Sequence, residues 1–222
     1  MEFHTLFPSE LESRHIQQLL LAVVIPRPIG FISTISAGGE PNLAPFSYFQ
    51  ALSAAPPALM FSPNRDRSGR IKHSLRNVRE VGEFVANSVS EEMAEAMNYA
   101  SGEFPDGVSE FKKAGFTPLP SRVVKPFRVA ESPVNMECRV IHLHELSDQP
   151  LGGTIVVGEI VAFHIREDLF DAENRLLRAD RFHPLSRLGG ISYAPIRDRF
   201  DMPRPKMTPE GEVVPGSHLK KS

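Results

Sequence analysis

Short apolar stretches, separated by proline, glycine and polar residues, fill the first half of the chain. Stretches of this length that are rich in β-branched and aromatic residues are typical of strands. The segment 15–24 contains helix formers instead, and Pro26 and Pro28 end it. The predicted strands are 30–36, 42–52, 58–62 and 83–89, with a turn over Ala37–Glu40 that makes a hairpin of the first two.

Two longer strand patterns dominate the second half, at 134–146 and 154–167, and Gly152-Gly153 predicts a hairpin between them. Short helices are predicted as inserts between the strands. They cover 71–81, the segment from a cap at Ser90 to about residue 100, and 108–114 before Gly115. The many evenly spaced strands favour a mainly β fold, a small β-barrel with short helical inserts, over a layered α/β sheet.

The chain becomes rich in proline and charge after Tyr193. This composition predicts an extended tail that either lies on a partner subunit or is disordered. We therefore predict a single domain over 1–195 and a proline-rich C-terminal tail over 196–222. No internal repeat or low-complexity tract is present in the sequence.

The composition of the chain mainly excludes classes of function. The 222 residues carry a formal net charge of −2, which gives no bulk electrostatic case for binding nucleic acid or a membrane. The single cysteine, Cys138, excludes an internal disulfide and fits a reducing compartment. No apolar run reaches the ~18 residues that span a bilayer, and Glu2 and Glu10 are unlike the start of a signal peptide. We expect a cytoplasmic protein.

The stretch from Asn42 to Phe49 combines strand-forming aromatics with a proline and hydroxyls, which a plain core strand would not use. Proline cannot donate to a sheet ladder, so Pro45 predicts an edge, a bulge or a ligand-facing backbone. A free strand edge can offer amide and carbonyl groups to a flat heterocycle. The alternative is an edge strand whose proline protects it from aggregation. The candidate binding residues here are Asn42, Leu43, Ala44, Pro45, Phe46, Ser47 and Tyr48.

A candidate anion site surrounds the predicted start of the helix over 71–81. Near this start lie Ser62, the arginines at positions 65, 67 and 70, and the segment Lys72-His73-Ser74. Hydroxyls, cations and the backbone N–H groups of a helix N-terminus suit a phosphate. The alternative is a solvated basic loop. Ser47 and Tyr48 would reach the same place if the strands pair.

A third candidate is the segment Arg187-Leu188-Gly189-Gly190, which is preceded by His183 and followed by Tyr193. Paired glycines allow a close approach of the backbone to a ligand. A turn at the start of a strand is the alternative.

The histidines and the cysteine give weaker indications. His142 and His144 share one strand face and His164 follows on the next strand, but a third ligand with matching spacing is missing and we expect no metal. Cys138 alternates with polar residues and is predicted to be a core thiol. The sequence contains no glycine-rich nucleotide motif and no serine-nucleophile elbow.

The order and spacing of these pieces resemble the flavin reductase-like proteins, which are FMN-binding split-barrel proteins, with the flavoredoxin-type members most similar. The resemblance covers roughly residues 15–195. It departs from the family pattern at His73, where many members carry Asp, and in the longer, more basic Arg65–Arg70 loop, and these departures bear on the choice between FMN and FAD. The matching segments are Pro26–Ser36, Asn42–Phe49, Ser53 with Pro56-Pro57, Lys72-His73-Ser74-x-x-Asn77, and Arg187-Leu188-Gly189-Gly190-x-x-Tyr193.

This resemblance implies a Greek-key split barrel that forms a homodimer and binds FMN, in preference to FAD, near the dimer interface. The strand from Asn42 to Tyr48 would lie along the flavin. The phosphate candidates are Ser47, Ser62, Lys72 and Ser74. Arg187, Gly189 and Gly190 would approach the ring from the same or from the other subunit.

The activity implied by the resemblance is NAD(P)H-dependent reduction of flavin, with a hydride transferred from nicotinamide C4 to flavin N5. A partner oxygenase or another electron acceptor would then use the reduced flavin. Holding two flat rings in contact requires no general acid or base, so no catalytic residue is assigned, and His183 is the candidate for nicotinamide binding. The alternatives are a flavoredoxin-like electron carrier that holds FMN, or a flavin-binding dimer without turnover.

Overall fold

The computed structural model describes residues 1–105 and 107–214 of the chain. The α-helices in this part are α1 (Ser13–Val23), α2 (His73–Val81), α3 (Ala94–Tyr99) and α4 (Glu110–Ala114). The strands are β1 (Arg27–Pro28), β2 (Gly30–Ile35), β3 (Pro41–Phe46), β4 (Phe49–Ala54), β5 (Pro57–Phe61), β6 (Glu83–Asn87), β7 (Pro118–Leu119), β8 (Arg128–Val129), β9 (Val134–Glu145), β10 (Thr154–Ile165), β11 (Phe170–Asp171), β12 (Leu176–Leu177), β13 (Leu185–Arg187) and β14 (Tyr193–Pro195). The prediction of a mainly β fold with short helical inserts is confirmed.

Within the described residues, seven strands form one antiparallel sheet in the order β3-β2-β6-β9-β10-β5-β4. The two predicted hairpins, β2–β3 and β9–β10, are both present. β3 and β4 are consecutive in the sequence but lie at opposite ends of the strand order. The sheet therefore curls until its two edges meet at residues 47–48, where the backbone N–H of Ser62 donates to the carbonyl of Tyr48 at 2.8 Å.

The stretch 42–52, predicted as one strand, is two strands in the structure. β3 ends at Phe46, where its pairing with β2 stops. Phe49 then begins β4, which pairs with β5. The break places the Phe49 ring over Gly30, where an added Cβ would meet the ring carbons at 2.5–2.9 Å. The single-strand prediction is wrong because alternating hydrophobicity does not reveal a corner at which a strand changes its partner.

Two apolar clusters form the core. One lies against the main sheet and includes Phe46, Phe61 and Phe84, whose successive ring centroids lie 5.2 and 5.1 Å apart. Gly158 on β10 makes room for the Phe84 ring, with which an added Cβ would clash. Cys138 belongs to this cluster and is fully buried, and burial raises the pKa of its thiol. The core-thiol prediction is confirmed. The second cluster packs α3 and α4 against β2 and β3.

The helices form where they are predicted, with small shifts at their ends. α4 ends at Gly115, which adopts the left-handed conformation with φ 77°. The helix predicted to start at Ser90 begins instead with a 3-10 turn over Glu91–Met93, and α3 follows it. The Ser90 hydroxyl donates to the carboxylate of Glu92 at 3.1 Å and makes no capping hydrogen bond. The capping prediction is wrong because the hydroxyl is turned towards the Glu92 carboxylate and its oxygen accepts no backbone N–H of the first turn.

The three histidines His142, His144 and His164 do not lie together in the structure. The rings of His142 and His144 are stacked with centroids 6.2 Å apart, whereas His164 pairs with Asn135 towards the other end of β9. The antiparallel register thus carries His164 away from the pair, and its Nε2 lies 2.6 Å from Oε1 of Glu137. Among the described residues, no group of three or more His, Cys, Asp or Glu is placed to hold a metal ion.

The C-terminal part of the described chain returns to the barrel. β13 pairs with β1 and with β14, and Arg197 then forms an ion pair of 2.5 Å with Glu91. The division into a domain over 1–195 and a tail over 196–222 stays a prediction, and residues 215–222 lie outside the described part. Over residues 1–105 and 107–214, no helix combines the length and the apolar character needed to cross a bilayer.

Candidate functional site

A cleft of about 1000 Å³ lies where the two edges of the main sheet meet. β3 and the corner at 47–48 form one wall, the start of α2 with the 65–70 loop forms a second, and residues 100–105 form a third. The predicted residues that line it are Asn42, Ala44, Pro45, Phe46, Ser47, Tyr48, Ser62, Lys72 and Ser74. The fold therefore brings the first two candidate sites together into one cleft.

β3 is an edge strand, as the proline at position 45 predicts. The backbone N–H of Leu43 points away from β2 and donates to Oε2 of Glu110 at 3.2 Å. Backbone groups two residues apart on a strand point the same way, so Pro45 also faces away from β2 and its missing N–H costs no ladder bond. The Leu43 side chain is fully buried in the core and does not line the cleft. Leu43 instead links β3 to α4 through its backbone hydrogen bond to Glu110.

A buried polar network fixes β3 against the first turn of α2. The amide of Asn42 contacts the hydroxyls of Ser74 and Thr34 at 2.9 and 3.2 Å. Its partners favour the orientation in which the oxygen accepts these two hydroxyls and the nitrogen donates to Oε1 of Glu110 at 3.2 Å. Asn77 donates to Thr34 at 3.0 Å. Because these groups are buried and linked, the strand edge and the helix start keep a fixed relation.

Glu110 is a site residue that the sequence reasoning missed. It lines the cleft from α4, is 6% exposed, and accepts hydrogen bonds from the edge strand. Burial raises the pKa of its carboxyl, and hydrogen bonds from the backbone together with the nearby His73 only partly offset that rise. In the sequence it is an ordinary acid in the first turn of a short helix, and no motif marks it.

Arg27 is the second missed residue, and it fixes the corner of the sheet. Its Nε donates to the hydroxyl of Ser47 at 3.2 Å, and its Nη1 donates to the carbonyls of Leu21 and Val24 at 2.6 and 2.8 Å. Its Nη2 donates to the carbonyl of Leu188 at 2.9 Å. The arginine is 3% exposed, and burial lowers its pKa. A signal for it was available, since Arg27 lies inside the Pro26–Ser36 segment of the family resemblance.

Tyr48 follows at the same corner. Burial raises the pKa of its phenol, and the nearby Arg27 partly offsets the rise. The phenol is therefore a neutral hydrogen-bonding group on the cleft wall near neutral pH.

The start of α2 faces the cleft without a side-chain cap. The N-cap residue is Lys72, which makes no capping hydrogen bond, so the helix N-terminus offers backbone donors and a positive dipole end beside an ammonium group. Ser62 lies opposite, 9% exposed, with Gly153 packed so closely behind it that a Cβ there would lie 2.9 Å from the Ser62 hydroxyl. The Ser74 hydroxyl is occupied by Asn42. This combination of donors suits a phosphate.

The arginines of the 65–70 loop differ in their placement. Arg65 and Arg70 line the cleft, but each is in an ion pair: Arg65 with Glu145 at 2.5 Å and Arg70 with Asp66 at 2.7 Å. Arg67 is exposed and does not line the cleft. The predicted cluster of three cations is therefore partly neutralised, and one of its members lies outside the site.

The third candidate segment is separate from the cleft within one chain. Arg187 lies over the ring of Tyr193, with 4.3 Å from the guanidinium carbon to the ring centroid, and Gly189 packs against Ala22 of α1. Neither these residues nor Gly190 and the exposed His183 are among those that line the cleft. Their predicted contact with a ligand stays a prediction.

Comparison with known proteins places the chain in a family. The protein-family model of the flavin reductase like domain matches residues 22–186 of the sequence. The chain therefore belongs to the flavin reductase-like family, as its motifs predict.

Individual relatives agree with this placement over nearly the whole chain. An uncharacterized protein of Aquifex aeolicus is 38% identical over 83% of this chain and 91% of its own length. The structure is similar to that of nitrilotriacetate monooxygenase component B from Bacillus cereus, with a TM-score of 0.85, 31% identity, and 91% and 100% of the two chains covered. It is also similar to that of 2-nitrobenzoate 2-nitroreductase from Pseudomonas fluorescens, with a TM-score of 0.82, 31% identity, and 93% and 98% covered.

More distant structures identify the fold. A Shewanella frigidimarina protein described as a flavin reductase with a split barrel domain gives a TM-score of 0.73 at 22% identity, covering 88% of this chain and 95% of its own. Flavoredoxin of Desulfovibrio vulgaris gives 0.69 at 19% identity, covering 80% and 91%. The split-barrel fold class is confirmed.

Proposed function

We propose that this protein is a cytoplasmic flavin reductase-like oxidoreductase that binds FMN in the cleft and transfers a hydride from NAD(P)H to flavin N5. The observation that carries the proposal is the convergence of a free strand edge and an uncapped helix start on one cleft. This pair of features suits a flat heterocycle with donors and acceptors along its rim and a phosphate at the end of its side chain. Membership of the flavin reductase-like family supports the same ligand.

The donor set of the cleft fits FMN. At one end, Lys72, Ser62 and the first turn of α2 would hold the phosphate. Along β3, the carbonyl of Pro45 points away from its neighbour strand and would accept from the ring edge. At the corner, the hydroxyl of Ser47 is held by Arg27 and the phenol of Tyr48 remains neutral, so both would be fixed hydrogen-bonding groups beside the ring.

Bound FMN would supply the hydride acceptor, and the protein would hold the flavin and the nicotinamide in position. Glu110 and Asn42 hold β3 in register with α2, which fixes the distance between the ring-binding and phosphate-binding ends. Holding the nicotinamide against the ring at a near-attack separation of about 3–3.5 Å is then the main requirement. We assign no general acid or base to this step.

We further propose that the protein is a homodimer and that reduced flavin serves a partner oxygenase. α1 buries none of its residues in the single chain, and Leu20 and Val23 on it are 46% and 71% exposed. An apolar helix face of this kind indicates a contact with another chain. The likeness to a monooxygenase component B supports an oxygenase partner.

The proposal is tested by adding FMN to the purified protein and measuring both flavin affinity and the oxidation of NADH and NADPH. Rapid turnover of free FMN supports a reductase, whereas reduction of a bound flavin that does not exchange supports an electron carrier. Protein that ignores added FMN contradicts every flavin-based function.

The phosphate assignment is tested by Lys72→Ala and Ser62→Ala, which remove the two side chains placed at the phosphate end of the cleft. Each is expected to weaken FMN binding, Lys72→Ala by about tenfold because a charge-assisted contact is lost. Lys113→Ala, which removes an exposed lysine of α4 outside the cleft, is the matched control. Unchanged affinity in both cleft variants would show that the phosphate lies elsewhere.

A second candidate acceptor follows from the 31% identity to a 2-nitrobenzoate 2-nitroreductase. We propose to assay 2-nitrobenzoate as an electron acceptor under the same conditions. Consumption of the nitro compound in step with NAD(P)H, with no release of reduced flavin, would favour a nitroreductase over an oxygenase component.

A further inference from the structure

The cleft extends beyond the helix start at which the FMN phosphate is placed. Its lining continues from Lys72 to Arg65 and Arg79. Arg79 follows Lys72 by seven residues on α2, which corresponds to about 10 Å along the helix axis at a rise of 1.5 Å per residue. At about 1000 Å³, the cleft is at the upper end of the size range of small-molecule sites. We call the part of the cleft lined by Arg65 and Arg79 the outer arm. A mononucleotide anchored at Lys72 would leave the outer arm free for another group.

The outer arm carries an excess of positive charge. Nη2 of Arg65 lies 2.5 Å from Oε1 of Glu145, and Nη2 of Arg79 lies 3.0 Å from Oε2 of the same carboxylate. One carboxylate thus faces two guanidinium groups, and the Arg65–Glu145–Arg79 cluster keeps one uncompensated positive charge. The nearby Arg70 differs, because it has a carboxylate of its own in Asp66.

The cluster is held in place by its surroundings. Nη1 of Arg65 donates to the carbonyl of Gly69 at 2.9 Å, and the backbone N–H of Arg65 donates to the carbonyl of Gly152 at 2.8 Å. The Arg65 side chain is only 18% exposed, and its Nε is buried without a hydrogen-bond partner among the described residues. A guanidinium group whose position is already fixed is a good receptor for a phosphate oxygen, since less side-chain entropy is lost on binding.

We propose that the Arg65–Glu145–Arg79 cluster is a second anion subsite, which binds a phosphate group of a dinucleotide in addition to the phosphate at Lys72. This inference rests on the proposed function, because it takes the Lys72 end of the cleft as the FMN phosphate site. Two sources supply the same chemistry. One is the adenylate half of FAD, and the other is the nicotinamide dinucleotide that donates the hydride.

Calorimetric titration separates the two sources. Flavin-free protein is titrated with FMN and with FAD, and FMN-loaded protein is titrated with NAD+ and with NADP+, which carry the same phosphate groups as NADH and NADPH but have no hydride to transfer to the flavin. In Arg79→Ala, we expect the dissociation constant of at least one dinucleotide to rise about five- to tenfold while that of FMN is unchanged. A change for FAD identifies the adenylate, a change for NADP+ alone identifies its 2′-phosphate, and an equal change for NAD+ and NADP+ identifies their shared pyrophosphate.

Glu145→Gln gives a test of opposite sign. It removes the carboxylate that competes for both guanidinium groups, so the same dinucleotide is expected to bind more tightly than to the unmodified protein. A purely structural role of the ion pair predicts weaker binding instead. Arg67→Ala, which removes an equal charge from the exposed part of the same loop, is expected to change nothing.

Unchanged dinucleotide affinities in both Arg79→Ala and Glu145→Gln would overturn the second subsite. An effect of Arg67→Ala as large as that of Arg79→Ala would also overturn the second subsite. It would show that the dinucleotide responds to the overall positive charge of the region and not to a specific binding site. In either case, FMN binding and NAD(P)H oxidation by the unmodified protein would still support the proposed function. Absence of FMN binding to the unmodified protein would refute the proposed function itself, and the subsite with it.

Discussion

Replacing Glu137 by glutamine is expected to destabilise the fold strongly, because this carboxylate holds the 121–127 segment onto the main sheet. Glu137 lies on β9 and is fully buried. Its Oε1 accepts from the backbone N–H of Arg122 at 2.8 Å and lies 2.6 Å from Nε2 of His164. Its Oε2 accepts from the backbone N–H groups of Val123 and Val124 at 2.7 and 3.1 Å. Four hydrogen bonds therefore converge on one buried charge.

The magnitude follows from these contacts. A hydrogen bond to a charged group contributes about 1.5–3 kcal/mol. Glutamine keeps the volume and one oxygen, but its NH2 group faces donors, so about two bonds are lost and the cost is about 3–5 kcal/mol. In a chain of 222 residues, 1 kcal/mol shifts Tm by about 2–4 °C, and the expected decrease is about 6–20 °C.

The assay is thermal and urea unfolding of the flavin-free protein, compared with Glu137→Gln and a matched control. Glu131→Gln is the control, because the Glu131 carboxylate also accepts a backbone N–H, that of Thr117 at 3.0 and 3.1 Å, but it is exposed. It is expected to cost less than about 1 kcal/mol. If the Glu137 variant loses no more stability than this control, the backbone hydrogen bonds do not have the role assigned to them.

Two further predictions concern the same sheet. Burial alone would raise the pKa of Glu137, but hydrogen bonds from three backbone amides and His164 outweigh it and hold the pKa below its ordinary value. The stability that this carboxylate contributes is therefore complete above the ordinary carboxyl pKa and is lost as the pH falls through the lowered native value. The free energy of urea unfolding should therefore fall between about pH 6 and pH 3, and it should fall less steeply in Glu137→Gln, where only the other carboxylates of lowered pKa remain. Gly158→Ala should cost about 1–3 kcal/mol in urea unfolding, because its Cβ clashes with the Phe84 ring. Phe84→Leu added to that variant should recover part of the loss, and no recovery would place the strain elsewhere.

Much of the cleft could be predicted from short stretches of the sequence. Pro45 marks an edge strand because proline lacks a donor, and the run from Lys72 to Ser74 marks a helix start because helix formers follow it. Both features depend on neighbours in the sequence, and the structure places both on one cleft.

The residues that were missed depend on distant partners. Arg27 acquires its role from the carbonyl of Leu188, 161 residues away in the sequence. Glu110 acquires its role from an amide on β3, 67 residues away. The alternation around Cys138 correctly predicts a buried thiol, yet Asn135 and Glu137 on the opposite face are also buried, at 5% and 0% exposure. A strand pattern cannot reveal this, because a separate loop covers that face.

The hydrogen bonds of Arg27 have a mechanical consequence. Its guanidinium group joins the end of α1, the cleft corner at Ser47 and the turn at Leu188. Because the Arg27 side chain is buried, the three segments must shift together or lose a bond at a cost of about 1–3 kcal/mol. A ligand that displaced Ser47 would thus be resisted by chain segments that it does not touch, and we expect amide exchange at the end of α1 to change when the cleft is occupied.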